Sequence, residues 1–488
     1  MLTKAEMDLF LKDFQQVLED IKDNSGTEPK QKLQNLLHKA VENGMVDFLK
    51  NQIENGIAHV NERKSNGLAL IHTAVSKNQL EVVKMLTEKG ANLNLQAKGF
   101  GLQESPLHLA TYKGNNDIVN LLLQNGADPD VSVNGVTPLH FGIYNNDLTT
   151  IDLLIKKTVN DDSKDDSRGF TPLHCAVSVQ ENLRMPTIFE KSLHMVHEAP
   201  KENDKYKRKT QDHRTEIVNM LLESGANFEE SSNLNQTALL LATENGFLDA
   251  AKILIEKGAK VNVQDNKKFT PLHYAINLKN EEFIKYLIGK KASINVSSVD
   301  NTYPIHMASK SGLTKIVKLL IEEGADVNVV NIENNKHYTP LCWAVMEGHL
   351  DVFEILLQSS ARVNLPDLEQ NKPIHHAAAI GHFEMAKLLL NHGVNINAMN
   401  EKHQRPISLA VANGFLEITK LLIQNGADLN FNDKTGMDPL CIAISKGIKI
   451  YRIDTLIRRC FLLGKEFYEL QSSDYFNSKT YLILSWMH

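Results

Sequence analysis

Residues 270–273 read Thr-Pro-Leu-His, and versions of this four-residue element return along almost the whole chain. Its fourth position falls at His38, His72, His108, His140, His174, Leu240, His273, His306, Cys342, His375, Ser408 and Cys441. The successive steps are 34, 36, 32, 34, 66, 33, 33, 36, 33, 33 and 33, so the period is 33 with one double step. Other features keep phase with it. A small-residue turn follows, as in Glu244-Asn245-Gly246, Lys310-Ser311-Gly312 and Met346-Glu347-Gly348-His349. Next come an apolar stretch such as Ile316-Val317-Lys318-Leu319-Leu320 and then Gly324-Ala325-Asp326-Val327-Asn328. Self-similarity at a fixed period of this size marks a repeat architecture.

Each part of the repeat has a physical reason. Proline in the first helical turn gives up an N–H that has no partner there anyway. The preceding Thr137, Thr171, Thr270 or Thr339 can cap the orphan amides, and glycine in the turn accepts the positive φ of a helix end. Leucine pairs in the second helix lie on one stripe. Two helices of about ten residues cannot bury that stripe alone, so neighbouring repeats must stack.

The period and the Thr-Pro-Leu-His signature resemble the ankyrin repeat, over about residues 35–460 and twelve in-phase copies. The resemblance implies an all-α solenoid of helix-turn-helix repeats with short β-hairpin fingers, a curved array capped by helices at both ends. It also implies that the recurring histidine hydrogen-bonds the turn, so the eight histidines in this slot read as structural rather than as metal ligands or catalysts. Cys342 and Cys441 take the same slot and Cys175 follows it; all three read as small fillers, because a reactive thiol needs an electropositive, accessible niche.

The expected organisation is a capping helix and linker at 1–34, the first repeats at 35–182, an insertion at 183–212, the later repeats at 213–448 and a helical cap or tail at 449–488. Thr3-Lys4-Ala5-Glu6 is a capping box, opening a helix whose Leu9, Phe10, Phe14, Val17, Leu18 and Ile21 share one stripe; a partner-binding amphipathic helix is the competing reading. In the double step, Gly225 comes 51 positions after His174 where 18 is usual, an excess of one full period. A hidden repeat would need its element at residues 204–207, but these read Asp-Lys-Tyr-Lys, which favours an insertion. Its cations Lys205, Lys207, Arg208 and Lys209 are diluted by four acids, which favours a solvated loop over an anion-binding cluster.

Composition narrows the function. The chain has 488 residues, 53 Lys+Arg against 59 Asp+Glu, and a net charge of −6. Nucleic-acid binding needs clustered cations, so no nucleic-acid partner is expected. Four cysteines with no Cys-x-x-Cys pair form no disulfide framework and suggest a reducing, cytoplasmic setting. The acids near the N-terminus argue against a signal peptide, and no apolar run reaches the roughly 18 residues that span a bilayer. No phosphate loop, dinucleotide fingerprint or zinc-protease motif occurs, so the sequence predicts neither an enzyme nor a cofactor or metal site.

The expected function is a monomeric protein-interaction scaffold or adaptor. Alternatives are a ubiquitin-ligase substrate adaptor, for which Leu456-Ile457-Arg458-Arg459-Cys460 is a faint signal, a host-directed effector of an intracellular bacterium or virus, and a trimmed piece of a larger enzyme or channel. The resemblance places partner binding at the residues before the turn glycine: Tyr112, Lys113, Tyr144, Asn145, Glu244, Asn245, Lys310, Met346 and Glu347, side chains that stacking itself would leave free. It also marks Asn94, Asn262, Asn328, Asn397 and Asn430, each ending the finger motif, as candidate sites of asparaginyl hydroxylation.

Overall fold

The structure, a computed structural model, describes residues 3–23, 27–64, 67–97, 104–159, 162–178, 213–333 and 336–446. The expected insertion at 183–212, with its basic cluster, and the C-terminal segment 449–488, with Leu456–Cys460, lie outside the described residues. The chain divides into two compact units, Met1–Leu278 and Lys279–His488.

In the first unit, α1 (Lys4–Asp23) precedes the helix pairs α2 and α3 (Thr27–Glu42, Val46–Glu54), α4 and α5 (Leu70–Ser76, Leu80–Glu88), α6 and α7 (Pro106–Tyr112, Asn116–Gln124), and α8 and α9 (Pro138–Tyr144, Leu148–Ile155). Then come α10 (Pro172–Ala176) and α11 (Arg214–Ser224), α12 and α13 (Ala238–Glu244, Leu248–Glu256), and α14 (Pro271–Asn277). The second unit holds α15 (Glu281–Gly289), α16 and α17 (Pro304–Lys310, Thr314–Glu322), α18 and α19 (Pro340–Glu347, Leu350–Gln358), α20 and α21 (Pro373–Ile380, Phe383–Asn391), α22 and α23 (Pro406–Ala412, Leu416–Gln424), and α24 (Pro439–Ser445). Within each unit, first helices pack on first helices and second on second, repeat after repeat. α10 and α11 pack together as the two helices of one repeat, although the long segment of the double step separates them in sequence.

The core is the expected stripe. In α17, Ile316, Val317 and Leu320 are fully buried, and in α19 Val352, Phe353 and Leu356 are too. Truncating such a leucine to alanine costs about 2–5 kcal/mol. Between repeats the chain forms fingers. One is a true hairpin of β1 (Asn331–Glu333) and β2 (Lys336–Tyr338), with Asn331 opposite Tyr338; others close through single bridges such as Val133 to Val136. At the N-terminus, α1 buries Phe10, Phe14 and Val17, and Phe14 meets the Phe48 ring edge-on at 4.9 Å. Leu9, assigned to this stripe from sequence, is instead 60% exposed, because it sits one residue off the face that carries Phe10 and Phe14.

The histidine slot ties one repeat to the next. Nδ1 of His140 accepts the N-cap amide of Thr137 (3.1 Å), and Nε2 faces the Phe170 carbonyl (3.2 Å) at the end of the next finger. The same pairing holds His306 between Tyr303 N (3.1 Å) and Val329 O (3.0 Å), and His375 between Lys372 N (3.0 Å) and Ala398 O (3.0 Å). A carbonyl on one side and an N–H on the other admit only the neutral ring protonated at Nε2. A second proton would point Nδ1–H at a donor inside the core.

Burial accordingly holds these rings far below the ordinary 6.5: to about 4 for His72, His108, His140, His306 and His375, and to about 3 for His38. The unfolded chain therefore binds more protons below pH 6.5 than the folded one. Stability is full above that pH and is lost as pH falls from 6.5 through about 4. Thermal melts at pH 7.5, 6, 5 and 4 should give a midpoint that is level at the top of the range and drops progressively below pH 6.5; a flat profile down to pH 4 would refute this account of the slot.

Candidate functional site

The residues expected to be free for binding are not equivalent. Nδ2 of Asn145 donates to the carbonyls of Thr111 and Tyr112, both at 2.9 Å, at the end of the preceding first helix. Nδ2 of Asn245 does the same to Val177 O (3.1 Å) and to its own helix at Leu241 O (2.9 Å). Further along, Nε2 of His349 meets Lys310 O (3.1 Å), Nε2 of His382 meets Met346 O (3.2 Å), and Asn413 donates to Ala379 O (3.1 Å). The last carbonyls of each of these first helices, orphaned by helix geometry, are thus satisfied by a side chain from the next repeat. Asn145 and Asn245 are stacking residues, contrary to the expectation from sequence. The signal was present, since Asn or His recurs beside the turn glycine, but its partner is a helix end one repeat away.

Tyr112 is likewise not free. Its ring meets Phe141 edge-on at 5.8 Å and packs on the buried cluster of Val133, Val136 and Phe141. Lys113, Tyr144 and Lys310 are half-buried, whereas Glu244 and Glu347 are exposed. Glu244 accepts a hydrogen bond from Gln236 Nε2 at 2.7 Å.

In the second unit, Lys310 and Met346 converge on the β1–β2 finger. Nζ of Lys310 lies 2.8 Å from Oε1 of Glu333 and 3.9 Å from the centre of the Trp343 ring. Trp343 donates from Nε1 to Asn331 Oδ1 (3.2 Å) and meets Tyr338 at 4.9 Å, while Met346 packs on the Tyr338, Cys342 and Trp343 cluster. Behind it, Nε2 of His376 stands 3.2 Å from Asp367 Oδ2. Burial raises the Cys342 thiol and pushes Cys175 up to about 12, so neither is a nucleophile. Among the described residues no group of His, Cys, Asp and Glu could hold a metal ion, and no helix is long and apolar enough to cross a membrane.

Sequence reading missed the finger tips. In most fingers a buried residue, such as Asp265, Asn331 or Asp367, is flanked by two positions that face outward. In five fingers both are polar: Ser132/Asn134, Lys164/Asp166, Ser231/Asn233, Gln264/Asn266 and Asn432/Lys434. In four consecutive fingers of the second unit they become Ser297/Val299, Val330/Ile332, Pro366/Leu368 and Met399/Glu401. Val299 is 59% exposed, Val330 and Ile332 are 37%, Leu368 is 44% and Met399 is 53%. The candidate hydroxylation positions lie at the finger bases. The side-chain oxygens of Asn94, Asn328 and Asn397 accept the backbone N–H of Asp128 (2.8 Å), Arg362 (2.8 Å) and Asp428 (2.9 Å) in the next repeat. Asn262 and Asn430 are exposed.

Comparison with known proteins agrees with this geometry. The profile described as "Ankyrin repeats (3 copies)" matches residues 13–97, 37–134, 107–185, 209–300, 293–367 and 374–457, most of the chain. The chain belongs to the ankyrin repeat family. Its relatives include the human transient receptor potential cation channel subfamily A member 1, 31% identical over 144 residues, which is 29% of this chain and 12% of the channel. The nuclear factor NF-kappa-B p105 subunit of Gallus gallus is 30% identical over 151 residues, 30% of this chain and 15% of that protein. Palmitoyltransferase Hip14 of Drosophila melanogaster is 34% identical over 93 residues, 19% of this chain and 14% of the enzyme. The ankyrin array is a non-catalytic protein-interaction fold, and the matched segments span only a small part of each of these relatives.

Replacing Asn145 by Ala removes both bonds to the end of α6: the Tyr112 carbonyl is left to find water, while Thr111 O keeps the Gly114 N–H at 3.0 Å. The expected loss is about 1–3 kcal/mol, read as a lower denaturation midpoint, whereas Glu347→Ala, at an exposed position, should change it by less than about 0.5 kcal/mol. Equal effects would show that the amide bridge contributes nothing.

Proposed function

We propose that this chain is a scaffold or adaptor that binds a partner protein through the fingers and first-helix ends of its second unit. The observation that carries this reading is the run of exposed apolar residues at the tips of four consecutive fingers, at positions that five other fingers keep polar. Folding does not require these side chains, since the polar fingers fold the same way. Contiguous exposed apolar surface in a water-facing protein marks a contact site. On the inner side of the β1–β2 finger, Trp343 is held by Asn331 and covered by the Lys310 ammonium, with Met346 packed on the same cluster, which fixes that finger in place. Large, pre-positioned aromatic and apolar groups are what interface hot spots use. Asn94, Asn262, Asn328, Asn397 and Asn430 stay candidate hydroxylation sites; because three of them bond the next repeat, the modification would act at the joints.

The test is a double substitution, Ile332→Glu with Leu368→Glu. Both residues are exposed, so the melting midpoint should stay close to that of the parent chain. Affinity capture with each protein as bait should lose at least one partner with the variant, by about tenfold or more. An unchanged partner set, with both proteins folded, would overturn the assignment of the strip.

A further inference from the structure

Two neighbouring second helices of the second unit, α15 and α17, pack together and hold one cavity of about 500 Å³ between them. Its lining follows one order along both helices. Lys285, Lys315 and Lys318 stand at one end, Ile288 and Leu319 in the middle, and Gly289, Glu322 and Glu323 at the other. The charged residues are exposed and the two apolar ones half-buried. Lys318 reaches Glu322 only loosely, at 3.9 Å along its own helix. Lys285, Lys315 and Glu323 have no ion pair among the described residues. The other charges of this part of α15, Glu281, Glu282, Lys290 and Lys291, do not line the cavity.

Two local rules are broken here. The helix dipole favours acids in the first turn and cations in the last. The other second helices of this unit and the last one of the first unit comply, with Asp249, Glu281, Asp351, Glu384 and Glu417 in their first turns. In α17 the first turn has no acid; Lys315 opens the helix and Glu322 and Glu323 close it, so its charges oppose its dipole. The glycine is displaced as well. The left-handed residue after the second helix is Gly258 or Gly324 in the adjoining repeats, but Lys291 after α15. Gly289 instead lies inside the helix, where glycine costs stability and where equivalent positions hold Glu256, Glu322, Gln358 and Gln424. A Cβ on Gly289 would meet nothing within 4 Å, so packing within the chain does not require the glycine. Its bareness keeps one end of the groove open. Positions that break local rules without a return in folding are where function is expected.

We propose that this groove is a two-fold interface between two copies of the chain. An axis through Ile288 and Leu319 turns the cationic end of one groove onto the acidic end of the other. Lys285, Lys315 and Lys318 of each copy then face Glu322 and Glu323 of the second, and the apolar residues meet at the axis. A two-fold interface must be self-complementary, and this charge order is, because reversing it end for end restores the match. A uniformly acidic or basic segment of another molecule would match only one half. A contact the size of one groove belongs with weak, transient interfaces, so the monomer expected from sequence is the dilute form. The groove uses no finger residue and does not depend on the apolar strip.

Sedimentation equilibrium of the full chain between about 5 and 200 µM at 50 mM NaCl should show monomer and dimer, with the dimer weakening as salt rises to 300 mM, because exposed charges are screened. Lys315→Glu with Lys318→Glu gives α17 acids at both ends, and Glu322→Lys with Glu323→Lys gives it cations at both. Each variant alone should dimerise about tenfold or more weakly than the parent. Mixed in equal amounts, the two should pair with each other about as tightly as the parent pairs with itself. All four positions are exposed, so the melting midpoints should stay close to that of the parent. Ile332→Glu with Leu368→Glu should dimerise as the parent does, which separates this interface from the finger strip. The proposal is overturned if the parent stays monomeric throughout this range at 50 mM NaCl, if either charge variant dimerises as the parent does, or if mixing the two fails to restore the dimer.

Discussion

One neutral imidazole, gripped from both sides, sets the terms for the whole array. In His140, His306 and His375, Nδ1 accepts the amide that opens its own helix and Nε2 donates a hydrogen bond to the finger ahead, so one side chain fixes both where a helix starts and how the next repeat meets it. The apolar stripes supply most of the favourable free energy, but burial is non-directional and would tolerate slippage between helices. The histidine bonds have direction and set the register. Where Leu240 takes the slot, the cap of Thr237 remains while the ring bridge has no counterpart. Cys342, Ser408 and Cys441 take the slot as well, the last two in consecutive repeats, so the stack tolerates the loss of the bridge at a minority of its joints.

A second ladder runs beside the first. Asn145, Asn245, His349, His382 and Asn413 reach back to the carbonyls that close the previous first helix. One ladder points forward through the fingers and the other backward through the helix ends, so a repeat that has both, such as that of His140 and Asn145, is held at both margins of its first helix. What neither ladder uses is left at the surface, above all the finger tips such as Val299, Leu368 and Met399.

Much of the architecture was legible because repetition averages out local ambiguity. A helix as short as Pro106–Tyr112 would be a weak assignment alone, but in-phase copies of proline, histidine and glycine place its start and its end. The site was less legible, for a definite reason. Reading each repeat by itself marks Asn145 and Tyr112 as idle, because their partners, a helix-end carbonyl one repeat back and the Phe141 ring one repeat on, belong to other repeats. Leu9 failed in a similar way, since a wide helical stripe in sequence does not tell which edge the neighbouring helix covers. The finger strip needed exposure as well as identity: Val299 and Leu368 read as ordinary apolar residues until their alternation with Ser298 and Asp367, both buried, is seen.

The turn glycines of the second unit do more than permit a left-handed backbone. A Cβ on Gly312 would lie 2.7 Å from the His349 ring, one on Gly348 2.9 Å from His382, and one on Gly381 2.7 Å from Phe415. Each repeat thus offers a notch on one edge and a ring on the other, in one gauge throughout this stretch. Unequal crossing-over that drops or duplicates a single repeat here would still mate ring to notch. Array length in this unit can then change by whole repeats without unmatching a joint, and the run of apolar fingers would lengthen or shorten with it.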